Sequence, residues 1–186
     1  MLRRLKWILI AVAVLFVGAW FHYYLPSHEV VRVVGTDTKR VDGSGLFDST
    51  RTNSQSTQTR DVRFINTVGQ NGKEYVFRNE DTGWSFPFYF KFDSGTLQAR
   101  AQSEVSGRDT PQWVVVTSYG WRLEMLTMFP NVIDIEPTDT ADPTIVPWFN
   151  IIFFVVLGLL AFWVFRLVRR FKRRRIDPIF DGDPDT

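Results

Sequence analysis

The sequence predicts an α+β protein: two transmembrane helices flanking an extracytoplasmic small β-barrel or β-sheet domain, OB-like, with one helix of its own. Three observations predict it. The hydrophobic residues, 45% of the 186, gather into uncharged runs near the two ends. Between the runs, short stretches alternate apolar and polar residues with period two and are separated by turn signals. Only one segment of that middle region repeats convincingly with helical spacing.

The first run, residues 7–25 (WILIAVAVLFVGAWFHYYL), holds no Asp, Glu, Lys or Arg over 19 positions, and residues 146–165 (VPWFNIIFFVVLGLLAFWVF) hold none over 20. At about 1.5 Å per residue, each is long enough to cross a hydrocarbon core of about 30 Å. A core helix of a soluble protein seldom stays uncharged for so long. Basic residues precede the first run and Val17-Gly18-Ala19 offers a small-residue cleavage site, so a signal peptide is the competing reading. Trp20, Tyr23 and Tyr24 favour an uncleaved anchor, because rings with a polar tip belong where lipid meets water. Trp148, with Asn150 close by, has the equivalent place on the second run.

Charge sets the orientation. Arg3, Arg4 and Lys6 precede the first run, and Arg166, Arg169, Arg170, Lys172, Arg173, Arg174 and Arg175 follow the second, so 10 of 22 basic residues flank the outer ends. Basic flanks resist translocation. The expected layout is a cytoplasmic N-terminus (1–6), a first span (7–25), a periplasmic β-rich domain (26–144), a second span (145–166) and a cytoplasmic basic tail (167–186), in a bacterial inner membrane. The region 26–144 carries 16 acidic and 12 basic residues, a net of −4, whereas the ends carry 10 basic and 4 acidic, a net of +6. The overall +2 therefore reports membrane orientation and gives no reason to expect nucleic acid as a partner. Without cysteine, disulfides and thiolate metal sites are excluded.

In the middle domain, Pro26 ends the first helix and residues 28–34 (HEVVRVV) form a β-branched strand. Residues 42–59 are small and polar and read as a long mobile loop. Strands are expected at 61–68 and 73–78, joined by Gln70-Asn71-Gly72, since Asn-Gly tolerates the positive φ of hairpin turns. The Asn79-to-Gly83 turn (NEDTG) leads into WSFPFYFKFD, where Trp84, Phe86, Phe88, Phe90 and Phe92 share one face of an extended chain. Pro87 makes this an edge strand or a bulge. Ser94 is the expected N-cap of a helix over 95–105, with Leu97, Ala101 and Val105 on one face. Strands follow at 112–119 and 131–136; for 121–129 periodicity leaves strand and short helix open. A five- or six-stranded barrel with one helix, OB-like, and a plain sheet covered by a helix both fit this order.

Six segments together resemble the bacterial membrane proteins grouped as domain of unknown function 1523: YLP (24–26), TRDVRFINT (59–67), RNEDTGW (78–84), FYFKFDS (88–94), YGWR (119–122) and MFPN (128–131). The resemblance spans roughly the first three quarters of the chain. It implies a small bacterial inner-membrane protein with no established activity, supports an envelope location and carries no catalytic residue across.

Reaction chemistry is hard to find. His22 and His28 sit at the membrane exit, where His22 fits the interfacial belt better than a general base. Glu80-Asp81 is a carboxylate pair beside Arg78, but acidic residues in turns ordinarily cap backbone amides. Residues 69–73 (GQNGK) have the wrong spacing for a phosphate loop. Asp181, Asp183 and Asp185 lack the frame of a calcium hand. No catalytic residue, metal or cofactor is expected, and the chain is read as a non-enzyme. Two lone spans also offer no transport path.

What remains is interaction. Arg169, Arg170, Lys172, Arg173, Arg174 and Arg175 can draw anionic head groups of membrane lipids at about 1 kcal/mol each, or serve only as a stop-transfer flank. The aromatic comb is read first as the packed inner wall of the barrel, because Ser85, Tyr89, Lys91 and Asp93 alternate with its rings. A partner-binding face and a sugar- or lipid-stacking pocket are the alternatives. Candidate interaction residues are Trp84, Pro87, Phe88, Tyr89, Trp121 and Arg122. The expected role is an interaction or scaffold module, an accessory subunit with a membrane or envelope protein partner. A periplasmic lipid- or glycan-binding or sensing domain is second, and an enzyme third.

Overall fold

The computed structural model describes residues 2–42 and 59–171. Helices α1 (Leu2–Tyr24) and α3 (Trp148–Phe171) coincide with the two apolar runs. Both are long and apolar enough to cross a membrane, and their apolar stretches are unburied.

Strand β1 (Ser27–Asp42) starts immediately after Pro26. It is far longer than the expected 28–34 because it serves two partners. Ser27 to Val31 pair with β4 (Trp113–Tyr119), and Val31 to Asp42 pair with β2 (Thr59–Gly69). The register shifts between Val33 and Gly35, the kind of irregularity that lets one strand turn from one neighbour to the next. From Thr36 to Arg40 the residues are polar and mostly exposed, so hydrophobic patterning could not signal the extension.

Strands β2 and β3 (Glu74–Asn79) form the expected hairpin. Gly72 adopts φ +78° in its turn, and Asn71 Oδ1 accepts from the Lys73 N–H at 2.9 Å. Strand β4 also pairs with β5 (Asn131–Thr138), and the circle closes where β3 meets β5 in parallel at Arg78 and Asn131. There the Arg78 N–H donates to the Pro130 carbonyl at 2.8 Å. The closed order is β1-β2-β3-β5-β4, with α2 (Ser94–Ser103) between β3 and β4, which is the OB-like layout.

Side chains fill the barrel. Val31, Val33, Ile65, Phe77, Val114, Val116, Val132 and Ile135 are essentially inaccessible, and α2 adds Leu97 and Ala101 to the same cluster. Each large apolar side chain buried this way contributes about 1.5–3 kcal/mol. The N-cap of α2 is Asp93, whose carboxylate accepts from the Thr96 N–H at 2.9 Å, rather than the expected Ser94. Ser94 is the first helical residue, and its hydroxyl is engaged elsewhere. The undecided 121–129 stretch contains a 3-10 turn, Glu124–Leu126, ended by Thr127 at φ 52° and closed by Leu123–Met128 backbone bonds in both directions.

The aromatic comb departs from expectation. Residues 84–93 belong to no strand, so Pro87 is not in an edge strand, and the rings are not the inner wall of the barrel. The Tyr89 N–H turns back onto the Pro87 carbonyl at 2.8 Å, and Phe90 adopts φ 51°. A strand cannot hold such a residue in its ladder. The loop expected over 42–59 lies, apart from its two strand-end residues, outside the described residues, as do Lys172, Arg173, Arg174, Arg175 and the alternating aspartates.

Candidate functional site

Residues 80–93, which link β3 to α2, form an Ω-like loop with a pinched neck. The N–H groups of Thr82 and Gly83 both donate to the Lys91 carbonyl at 3.0 Å, and the Lys91 N–H donates to Thr82 Oγ1 at 3.1 Å. Just below, the two carboxylate oxygens of Asp81 accept from the Ser94 N–H at 2.7 Å and from its hydroxyl at 3.0 Å. Arg63 of β2 donates to the same hydroxyl at 3.0 Å.

The neck rests on a buried polar centre. Lys91 Nζ donates to Asn79 Oδ1 and to the Val132 carbonyl, both at 2.6 Å. The Asn79 amide donates in turn to the Ser94 carbonyl and to Gln98 Oε1, each at 2.8 Å. Asn131 stitches the loop's first residue to β5 by accepting from the Glu80 N–H at 2.9 Å and donating to the Glu80 carbonyl at 3.1 Å. Glu80 pairs with Arg78 at 2.6 Å. The carboxylate pair is therefore spent on structure, Glu80 on an ion pair and Asp81 on the start of α2. Among the described residues, no group of three or more His, Cys, Asp or Glu side chains could hold a metal ion.

Lys91 is only 9% exposed. Burial holds its ammonium down to about 8 against an ordinary 10.5, although the Asp81 and Glu80 carboxylates pull the other way. Burial pushes the phenols of Tyr89 and Tyr119 up, with Tyr119 reinforcing the shift at Tyr89 and the Asn131 hydrogen bond opposing it at Tyr119.

With Tyr89 half-buried and Lys91 turned inward, the alternate residues turn out. Trp84, Phe86, Phe88, Phe90 and Phe92 are 78%, 48%, 61%, 52% and 53% exposed. Their rings touch in sequence: Phe86 on Phe88 (5.7 Å), Phe88 on Phe90 (6.2 Å), Phe90 on Trp84 (5.5 Å) and Trp84 on Phe92 (5.2 Å). The chain of rings continues into α1. Phe86 stacks on Trp20 with centroids 6.0 Å apart and meets Tyr24 edge-on at 4.5 Å. The Tyr89 hydroxyl donates to the Tyr24 carbonyl, while its ring lies 5.0 Å from that of Tyr119.

The β4–β5 connection grips the helix from another element. Trp121 Nε1 donates to His22 Nδ1 at 2.8 Å, its ring stands edge-on to Tyr23 at 5.4 Å, and the Gly120 N–H donates to the Tyr23 carbonyl at 2.9 Å. Gly120 has φ +98°, a backbone conformation that other residues rarely adopt, so this junction suits glycine. Arg122 lies over the Phe129 ring at 4.1 Å and donates to the Met128 carbonyl at 3.0 Å. An open apolar groove lined by Val14, Leu15, Gly18, Ala19, His22 and Trp121 runs along this flank of α1.

The candidate interaction residues thus divide by position. Trp84 and Phe88 are surface rings, Pro87 is half-buried, Tyr89 bridges α1 and Tyr119, Trp121 braces the helix exit, and Arg122 packs on Phe129 within the β4–β5 connection. Arg169 and Arg170 lie in the last turn of α3. Sequence reasoning passed over Asn79, Lys91 and Asn131 as site-builders and took Ser94 only as a cap, although all four stand inside RNEDTGW, FYFKFDS or MFPN.

Fold and site together define a closed OB-like barrel, filled inside, carrying exposed rings outside and in contact with a long apolar helix. The chain belongs to the family of proteins of unknown function DUF1523, whose pattern matches residues 2–172. It is similar to an uncharacterized protein of Haemophilus influenzae, 40% identical over 167 residues that cover 87% of this chain and 93% of the relative. No solved structure matches it.

Proposed function

We propose that this chain is an inner-membrane-anchored interaction or scaffold protein. Its two apolar helices hold a periplasmic barrel against the membrane, with both termini cytoplasmic, and the barrel presents an outer surface to a protein partner as an accessory subunit of an envelope assembly. On this reading it carries no reaction of its own.

The observation that supports it best is the tip of the β4–β5 connection. Met125 is 98% exposed on a turn closed at both sides by the Leu123–Met128 bonds, and Leu126 beside it is also exposed. A flexible apolar side chain on a pre-organised base suits a protein contact, since the thioether adapts to the surface it meets and the backbone beneath it is already ordered. A photo-cross-linking residue in place of Met125, in the full chain at native expression, is expected to yield a stoichiometric adduct with one other envelope protein. Recovery of the uncross-linked chain alone would sink the scaffold reading.

The groove along α1 supports a second reading, in which a lipid lies against Val14 and Gly18 with its polar end near His22 and Trp121. A lipid-binding role predicts that a defined lipid raises the thermal midpoint of the detergent-solubilised chain and that Trp121→Ala abolishes the gain.

A further inference from the structure

We propose that the exposed rings of residues 84–92 are a second membrane anchor, seated in the interfacial layer of the bilayer leaflet into which α1 emerges. The inference rests on the reading of α1 as a spanning helix and names lipid as the partner of this surface.

The argument is one of depth. Trp20 precedes the end of α1 at Tyr24 by four residues, which places it about 6 Å back along the helix axis. Phe86, although it belongs to the barrel, stacks on Trp20 and not merely on the last residue. The loop therefore reaches backwards along the helix, to a level that α1 crosses inside the membrane. From Phe86 the ring-to-ring contacts run outward through Phe88, Phe90 and Trp84, so one continuous aromatic surface starts on the span and spreads sideways from it. Such rings suit an interfacial layer, with the indole N–H of Trp84 still able to reach water. The rest of the loop is built to hold that pose. Lys91 and the Asp81–Ser94 bonds fix its neck, and the Tyr89 hydroxyl on the Tyr24 carbonyl fixes its angle to the helix. Because the inward-facing residues make these bonds, the five rings are left with no core to fill.

The absence of cysteine makes the test direct. Single cysteines at Phe88 and Trp84, both on the exposed side, receive a nitroxide label in the full chain reconstituted into phosphatidylethanolamine–phosphatidylglycerol vesicles. Val12→Cys reports on the middle of α1, and Gln70→Cys on the β2–β3 turn, at the opposite end of β3 from the loop. The ratio of collisions with oxygen to collisions with a water-soluble nickel chelate measures depth. Phe88→Cys and Trp84→Cys are expected to give ratios several-fold above Gln70→Cys and below Val12→Cys. A lipid-like ratio at Val12→Cys with water-like ratios at both ring positions overturns the ring anchor and leaves the spanning helix standing. A water-like ratio at Val12→Cys overturns the spanning helix and the ring anchor with it. Dipolar broadening at Phe88→Cys that vanishes on dilution with unlabelled chain overturns the proposal in favour of a second copy covering the rings.

Discussion

At Lys91 a residue ordinarily placed on the surface holds together β3, β5 and the ring-bearing loop through Asn79 and Val132. Its depressed proton affinity gives a stability signature with a definite sign. Below pH 8 the ammonium is charged in both folded and unfolded chains. Between pH 8 and 10.5 the folded chain releases the proton while the unfolded chain keeps it, so the unfolded state binds more protons and stability rises with pH. The full excursion is roughly 3 kcal/mol. Tyr89 acts oppositely: its raised phenol contributes stability that is present below about pH 10 and is lost above it, as the unfolded tyrosine ionises. Denaturant midpoints of the detergent-solubilised chain should therefore climb from pH 7.5 to 9.5. Lys91→Met should flatten that climb; an unchanged slope in the variant would remove Lys91 as its source.

Among the elements, the β2–β3 hairpin, β4 and β5 were legible because each is a short run with a buried alternate face and a turn signal beside it. The comb had the same period and misled. Period two says which residues share a face, but the phase that meets the core is decided by what the core already contains. Here Phe77, Val132 and Ile135 fill it, Lys91 donates to Asn79 and Val132 of the barrel, and the Tyr89 hydroxyl donates to the Tyr24 carbonyl at the end of α1. Nothing local to WSFPFYFKFD announces that inversion, nor the distant partner of Lys91 on β5. The start of α2 was legible as a cap and misplaced by one residue, because Asp93 accepts from the Thr96 N–H that a Ser94 cap would have served, while Asp81 engages the N–H and hydroxyl of Ser94 itself. Asp81→Ala removes the acceptor for both the Ser94 N–H and its hydroxyl and should cost about 1–2 kcal/mol. Asp81→Asn, which keeps an oxygen acceptor, should lose less. Equal losses in thermal or denaturant midpoints for the two variants would show that the carboxylate's charge, and not its acceptor geometry, supports the helix.

For the whole molecule, the distribution of charge makes the sharpest claim. Ten basic residues crowd the outer ends of the two runs, three before the first and seven from Arg166 to Arg175, whereas no Lys or Arg lies between Pro26 and Val31 or between Leu123 and Ile145, so basic density beside the spans resists translocation of both ends. The OB-like barrel is indifferent to this choice, since its core would form on either side. The half-buried joint between α1 and the barrel is not indifferent. Tyr23, Tyr24 and Trp121 form a contact in which one end of every ring is apolar and the other makes or seeks a hydrogen bond, which suits an interface and neither bulk phase. Orientation and joint therefore predict one labelling pattern in cells whose outer membrane has been permeabilised. Gln70→Cys should react with a membrane-impermeant maleimide at once, whereas Asp177→Cys in the tail should react only after the inner membrane is lysed. The reverse pattern would place the barrel in the cytoplasm, with the basic flanks outside. Reaction at both positions before lysis would mean that the chain does not span twice, since two crossings must return the tail to the side opposite the barrel.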